Sequence, residues 1–231
     1  MQLYNIQKPI KTLIFDIDST LYTCPEYAHE QIDSQIRHFA KLKNISDDEG
    51  RKLVREFRSD WAKKHSGKKI SLGNLLTHFG ISIQESIEWR KTLFDPKKYL
   101  KEDKKLQHAL SQLAKSFYLI CVTNNPVEPA QKTLEALGVS NLIPQIIGLD
   151  TTFKSKPAKE IFDLALKKAS EALGEQLSYR HCVSIGDRYD IDLALPLELG
   201  MGAILVEGVK DVYEIPEYLQ VIFSKPRLKR L

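Results

Sequence analysis

With 231 residues, 42% hydrophobic and 28% charged side chains and a formal net charge of +4, the chain has the make-up of an ordinary soluble globular protein. It is long enough for one large α/β domain, or a core with a smaller insert, and its charge is too modest to imply a nucleic-acid partner. The apolar runs are too short to span a bilayer and no signal-peptide pattern opens the chain, so a cytoplasmic protein with no membrane partner is expected.

Cys24, Cys121 and Cys182 are odd in number and unpatterned, which indicates neither a disulfide framework nor a zinc site. Cys121 and Cys182 fall inside apolar runs, as small core side chains. The basic clusters Lys63-Lys64 and Lys68-Lys69 and the tail Lys225 to Arg230 read as solvated surface. Oligomeric state is not readable.

In chain order, Leu13-Ile14-Phe15-Asp16-Ile17-Asp18-Ser19-Thr20-Leu21 comes first. A short run of branched and aromatic residues reads as a buried parallel strand, with Asp16 at its carboxyl end, where open sheets place their ligand crevice. Two acids there repel unless a cation or proton compensates, which points to a divalent metal. Turn formation and helix capping are the plainer roles for the same residues. Tyr22 to Pro25 is a loop, and from Glu26 to about Tyr99 no strand-like run occurs. Ile32, Ile36, Phe39 and Ala40 recur at helical spacing, as do Leu53, Val54, Phe57 and Trp61. Ser46-Asp47-Asp48-Glu49 is a helix start, and Ser71 to Phe79 and Ser86 to Leu93 are further short helices. This helical block of about 70 residues is read as a lid over the crevice.

Alternation then resumes. Helices are expected over Asp103 to Lys115, Pro129 to Leu137, Ala158 to Leu173 and Leu193 to Leu199. Strands are expected over Phe117 to Val122, Ile143 to Leu149, Cys182 to Ile185 and Ala203 to Val206. Such alternation implies a parallel sheet with right-handed crossovers. Three more strand ends carry polar residues: Thr123-Asn124-Asn125, the Lys154-Ser155-Lys156-Pro157 loop, and Gly186-Asp187-Arg188-Tyr189-Asp190-Ile191-Asp192. Each alone reads equally as a turn, a surface lysine or a solvated cap. Converging on one crevice, they would supply carboxylates from two strands, a hydroxyl-amide pair and a lysine: a metal and phosphate site.

These motifs together resemble the haloacid dehalogenase-like (HAD) superfamily. Asp16-Ile17-Asp18-Ser19-Thr20 looks like its first motif, DxDxT; Thr123 matches the second, Lys156 the third, and Gly186-Asp187 with Asp192 the fourth. The resemblance covers about two thirds of the chain. It implies an α/β fold, a Rossmann-like parallel five-stranded sheet ordered 5-4-1-2-3, with an inserted all-helical cap. The core would be 1–23 and 98–231, and the cap 24–97. Asp18-Ser19-Thr20-Leu21-Tyr22 looks most like the pyrimidine 5′-nucleotidase branch.

The resemblance also implies roles. Asp16 would be the nucleophile and Asp18 the general acid and base. Mg²⁺ would be held by the Asp16 carboxylate, the Asp18 backbone carbonyl and Asp187. Thr123 and the Asn124 backbone would bind phosphoryl oxygens, Lys156 would neutralise the Asp16–phosphate pair, and Asp192, or in part Asp190, would orient Lys156 or a metal-bound water. An acid at Asp18 favours ester hydrolysis over dehalogenation and phosphonate cleavage, because an oxygen leaving group needs a proton. The substrate would be a small phosphorylated metabolite, a nucleoside 5′-monophosphate first; phosphoglycolate or sugar-phosphate hydrolysis, a phosphomutase and a non-catalytic binding protein are the alternatives. Tyr22, Thr23, Tyr27, Arg37, Trp61 and Asn74 are nominated for specificity, Tyr22 foremost.

Overall fold

Short runs of branched side chains with both faces covered build the sheet, in the manner of a parallel layer sandwiched between helices. The structure, a computed structural model, describes residues 1–67 and 69–224; Lys68 and the basic tail Lys225 to Arg230 lie outside the described residues. The chain opens with β1 (Gln2–Tyr4) and β2 (Thr12–Phe15), then runs through α1 (Pro25–Leu42), α2 (Asp47–Lys64), α3 (Leu72–Thr77) and α4 (Ile83–Leu93). After α5 (Lys104–Ala114) come β3 (Tyr118–Val122), α6 (Val127–Ala136), β4 (Gln145–Ile147), α7 (Leu149–Thr152) and α8 (Lys159–Leu173). β5 (Cys182–Gly186), α9 (Ala194–Glu198), β6 (Gly202–Leu205) and α10 (Val209–Ser224) complete it.

The sheet order is β1-β6-β5-β2-β3-β4. Its five parallel strands keep the expected 5-4-1-2-3 order, and a sixth, β1, pairs antiparallel with β6 at the edge, Leu3 opposite Ile204. Three partly exposed edge residues are too few to show periodicity, so the sequence hides this strand. At the centre Phe15 lies opposite both Cys121 and Ile185. Residues just past the strands therefore emerge level: Asp16 N–H reaches the Ile185 carbonyl at 2.8 Å and Thr123 N–H that of Ile147 at 3.0 Å. Ile14, Ile120, Val122, Ile147, Phe162 and Met201 pack into one core cluster with Cys182, whose thiol burial pushes up to about 12.

Several elements differ from expectation. α6 starts at Val127 rather than Pro129, because the Asp150 carboxylate accepts from Val127 N–H at 2.9 Å. β4 ends at Ile147, since Gly148 lies against that same turn; a Cβ there would stand 2.7 Å from the Asn125 carbonyl oxygen. Ahead of α9 the chain makes a wide π-turn over Tyr189–Leu193. α10 is an addition: Val212, Ile215 and Leu219 form its buried stripe and it packs against α5.

The chain divides into two units, Met1–Thr23 with Leu100–Leu231, and Cys24–Tyr99. The second is all helix and has its own core of Ile36, Phe39, Val54, Leu72, Leu75, Leu76 and Trp89. Ser46 and Glu49 form a capping box at the start of α2. α4 begins at Ile83, earlier than expected, because the Ser82 hydroxyl accepts from Glu85 N–H at 3.0 Å. Ile32 and Leu53 are exposed, contrary to their place on the apolar stripes. Gln31, Ser34 and Gln35 are buried on α1 instead, with Gln35 Oε1 accepting from the buried Arg90 at 3.0 Å. The unit's two ends meet: Tyr27 stacks on Tyr99 at 5.5 Å and Cys24 Sγ lies 4.0 Å from the Tyr99 carbonyl oxygen. Among the described residues no helix is long and apolar enough to cross a membrane.

Candidate active site

The strand ends bring Asp16, Lys156, Asp187 and Asp192 together. Lys156 is 5% exposed, and its ammonium donates to Asp16 Oδ1 at 2.5 Å, Asp192 Oδ1 at 2.7 Å and the Val122 carbonyl at 2.9 Å. One oxygen from each of Asp16, Asp187 and Asp192 lies within 4.8 Å of the others. Asp192 is committed on both sides, since its Oδ2 accepts from Arg188 N–H at 3.1 Å. Asp190, on the same turn, is exposed. Gly186 permits this fold-back, for a Cβ there would stand 2.4 Å from Asp192 Cβ. By contrast, Asp16 Oδ2 and Asp187 Oδ1 are buried without a hydrogen-bond partner, the Arg188 guanidinium standing 3.9 Å from Asp187.

Buried carboxylates left in that state are electrostatically costly. Burial pushes the Asp16 carboxyl up to about 7, with Lys156 pulling the other way and Asp192 and Asp18 adding repulsion. Asp187 is likewise raised, by burial and then by Asp192. Burial alone would lower Lys156, but its two carboxylate partners outweigh that and raise it. Open, hard oxygens with excess negative charge are a donor set that suits a divalent cation.

Asp18 lies outside that cluster of three. The backbone after β2 turns tightly: Ser19 is left-handed at φ 61, and Leu21 N–H returns to the Ile17 carbonyl at 2.9 Å. This brings Tyr22 back onto Asp18, its hydroxyl donating to Oδ1 at 2.6 Å, while Asn125 Nδ2 donates to Oδ2 at 2.9 Å. Thr123 is buried, and its hydroxyl accepts from Asn125 N–H at 3.1 Å, which leaves its own proton to donate. Asn124 Oδ1 accepts from Lys156 N–H at 2.7 Å and so fixes the loop that carries the lysine.

Tyr22, nominated as a substrate contact, is 3% exposed and turned onto Asp18. Asn125 is read as one of the polar strand-end residues, but its bond to Asp18, the Asp150 cap and the Arg188 amide have no signal in the sequence. Thr23 Oγ1 accepts from Val209 N–H at 3.1 Å, and Tyr27 is buried against Tyr99. Arg37 is paired with Glu30 and Asp33, Trp61 stacks on His65 at 3.7 Å, and Asn74 is exposed on α3.

The sequence model of the haloacid dehalogenase-like hydrolases matches residues 10–197, which takes in Asp16, Asp18, Thr123, Lys156, Asp187 and Asp192. The chain belongs to that family. An uncharacterized hydrolase of Schizosaccharomyces pombe is 35% identical over 71 residues, a stretch spanning 30% of this chain and 31% of that protein. Among solved structures, the HAD-hydrolase YfnB of Bacillus subtilis, bound to magnesium, superposes at a TM-score of 0.57, with 18% identity over 91% of this chain and 100% of its own. A HAD phosphatase from Thermococcus onnurineus gives 0.58, with 19% identity, 91% of this chain and 98% of its own. A 2-haloacid dehalogenase from Pseudomonas syringae gives 0.54, with 18% identity, 92% of this chain and 99% of its own. Similarity at this level establishes a shared HAD fold, and these neighbours carry more than one chemistry.

Proposed function

We propose that the chain is a magnesium-dependent phosphatase that hydrolyses a small phosphomonoester through an aspartyl-phosphate on Asp16. The observation that carries this reading is the buried Asp16 carboxylate, clamped through Oδ1 by Lys156 and without a hydrogen-bond partner at Oδ2. A carboxylate fixed in orientation and stripped of solvent is a strong oxygen nucleophile for phosphorus.

Asp16 attacks phosphorus as the bond to the ester oxygen breaks, and Asp18 gives its proton to the departing alkoxide. Asp18 then takes a proton from the water that cleaves the acyl phosphate, which frees inorganic phosphate and restores the Asp16 carboxylate. The Thr123 hydroxyl and the Asn124 amide bind phosphoryl oxygens, and Lys156 offsets the charge that Asp16 and the phosphate bring together. Asp192 holds Lys156 in place from the far side. Asp16 Oδ2 and Asp187 Oδ1, with the Asp18 backbone carbonyl, are the residues that would hold magnesium. When bound, it supplies positive charge that offsets repulsion among the carboxylates and the substrate phosphate.

Asp18 favours an ester over a haloacid, because a halide leaves without a proton. Nucleoside 5′-monophosphates are the first substrates to test, on the likeness of Asp18-Ser19-Thr20-Leu21-Tyr22 to the pyrimidine 5′-nucleotidase branch. The helical segment 24–97, spliced in directly behind the catalytic strand, is the proposed source of substrate choice. The test is phosphate release from a broad panel of phosphomonoesters, with and without Mg²⁺. Release that needs Mg²⁺ and disappears in Asp16→Asn is expected; equal release by Asp16→Asn sinks the proposal.

A further inference from the structure

We propose that Tyr22 and Asn125 are positioning residues that aim the Asp18 carboxyl group at the leaving-group oxygen, an inference that rests on the phosphatase reading. The two hydrogen bonds reach different oxygens of the same carboxyl group, 2.6 Å to Oδ1 and 2.9 Å to Oδ2. Two donors on two oxygens fix both the rotation and the tilt of the group, whereas one would leave it free to turn.

Both donors are themselves held. Tyr22 is buried, and the left-handed Ser19 makes the turn that carries its ring back beneath Asp18. Asn125 N–H is tied to Thr123 Oγ1 at 3.1 Å, and its carbonyl accepts from Leu149 N–H at 2.9 Å. The next turn is capped by Asp150 on Val127 N–H, and Gly148 provides the space for the whole approach. Asn125 thus joins the strand carrying Asp16 to the strand end carrying Thr123, through Asp18. In chemical terms, a proton donor must lie within hydrogen-bond reach of the oxygen it serves, and small misplacements cost large factors in rate.

The role makes a prediction that general structural support does not. A residue that aims the leaving-group acid matters when the leaving group needs a proton, and matters little when it does not. We would measure kcat and KM for wild type, Tyr22→Phe and Asn125→Ser on 2,4-dinitrophenyl phosphate and on the alkyl phosphate that wild type hydrolyses best. Asp18→Asn and the double variant with Tyr22→Phe complete a cycle. On the alkyl ester kcat/KM, which reports formation of the aspartyl-phosphate and not the later attack of water that Asp18 also assists, is expected to fall about 10- to 100-fold in each single variant, with a loss at least about tenfold smaller on the dinitrophenyl ester. Adding Tyr22→Phe to Asp18→Asn should then cost less than about threefold more.

Equal losses of kcat/KM on both esters overturn the inference, as does a raised KM with intact kcat on the alkyl ester, which would make Tyr22 a substrate contact. Full additivity in the cycle also overturns it. If Tyr22→Phe does not fold, Asn125→Ser carries the same comparison. A wild type that releases no phosphate from any ester ends the phosphatase reading and this inference with it; an active wild type with the wrong leaving-group pattern ends the inference alone.

Discussion

Replacing Lys156 by methionine keeps the length of the lysine stem and removes the ammonium that three oxygens share. Asp16 and Asp192, both buried, would then face each other with no counter-charge. Removing one partner of a buried ion pair costs about 3–5 kcal/mol, mostly the burden of the charge left behind. Asp16 has an escape, because it can take up a proton. Its folded value already stands above the ordinary carboxylate range through burial, against the pull of Lys156, and losing the lysine raises it further. An acid raised in the folded state contributes stability that is present below its unfolded value near 3.8 and lost as pH rises through the folded one. The deficit should therefore be about 3–5 kcal/mol at pH 8 and shrink as pH falls through about 7, with little further change between pH 6.5 and pH 5. Urea unfolding of wild type and variant, followed by far-UV circular dichroism in EDTA at pH 5, 6.5 and 8, measures it. A deficit below about 1 kcal/mol at pH 8, or one of equal size at both ends, would refute the electrostatic account.

Gly186→Ala should destabilise by about 1–3 kcal/mol and reduce phosphate release more than tenfold, since its Cβ would meet Asp192 Cβ at 2.4 Å and push that carboxylate off Lys156. An unchanged thermal midpoint would count against this. In the helical unit, Asp33 receives Arg51 Nε at 2.7 Å and Nη2 at 2.9 Å. These bonds, more than burial opposes them and with Arg37 adding to them, hold its carboxyl down at about 2. That stability is present above the unfolded value near 3.8 and lost as pH falls through about 2. Asp33→Asn should thus cost about 1–2 kcal/mol at pH 6, allowing for the partly exposed arginines, with the gap closing on acidification in urea titrations. Ser46→Ala removes one arm of the capping box and should cost about 1 kcal/mol, read as faster amide exchange in the first turn of α2.

The parallel strands and the residues at their ends were legible because buried runs of branched residues stop abruptly at polar groups, and chain order fixes which ends meet. What stayed hidden depended on pairing at a distance. β1 is three residues long and gains its identity from β6 alone. The buried polar face of α1 runs against the apolar pattern because Gln35 and Arg90, far apart in sequence, satisfy each other. α10 was readable from the spacing of Val212, Ile215 and Leu219, yet Pro216 within it argues locally for a break. Asn125 sits where a turn before proline was already a sufficient explanation, and Tyr22 is nominated for substrate rather than for Asp18, a pairing that only the tight turn through Ser19 produces.

The meeting of Tyr27, Cys24 and Tyr99 bears on how the chain folds. The middle of the sheet needs Phe15 to find Cys121, 106 residues later, with the entire helical segment between them. A helical unit that gathers on its own core brings its two ends together, and the span still to be closed drops to about 30 residues. That shortening lowers the entropic barrier to joining the central strands by about 1 kcal/mol. Helices built from local contacts also form well before distant strands align. The inserted segment then works as a clasp for the nascent chain, and a lesion in its core such as Phe39→Ala should slow assembly of the sheet although it lies outside it.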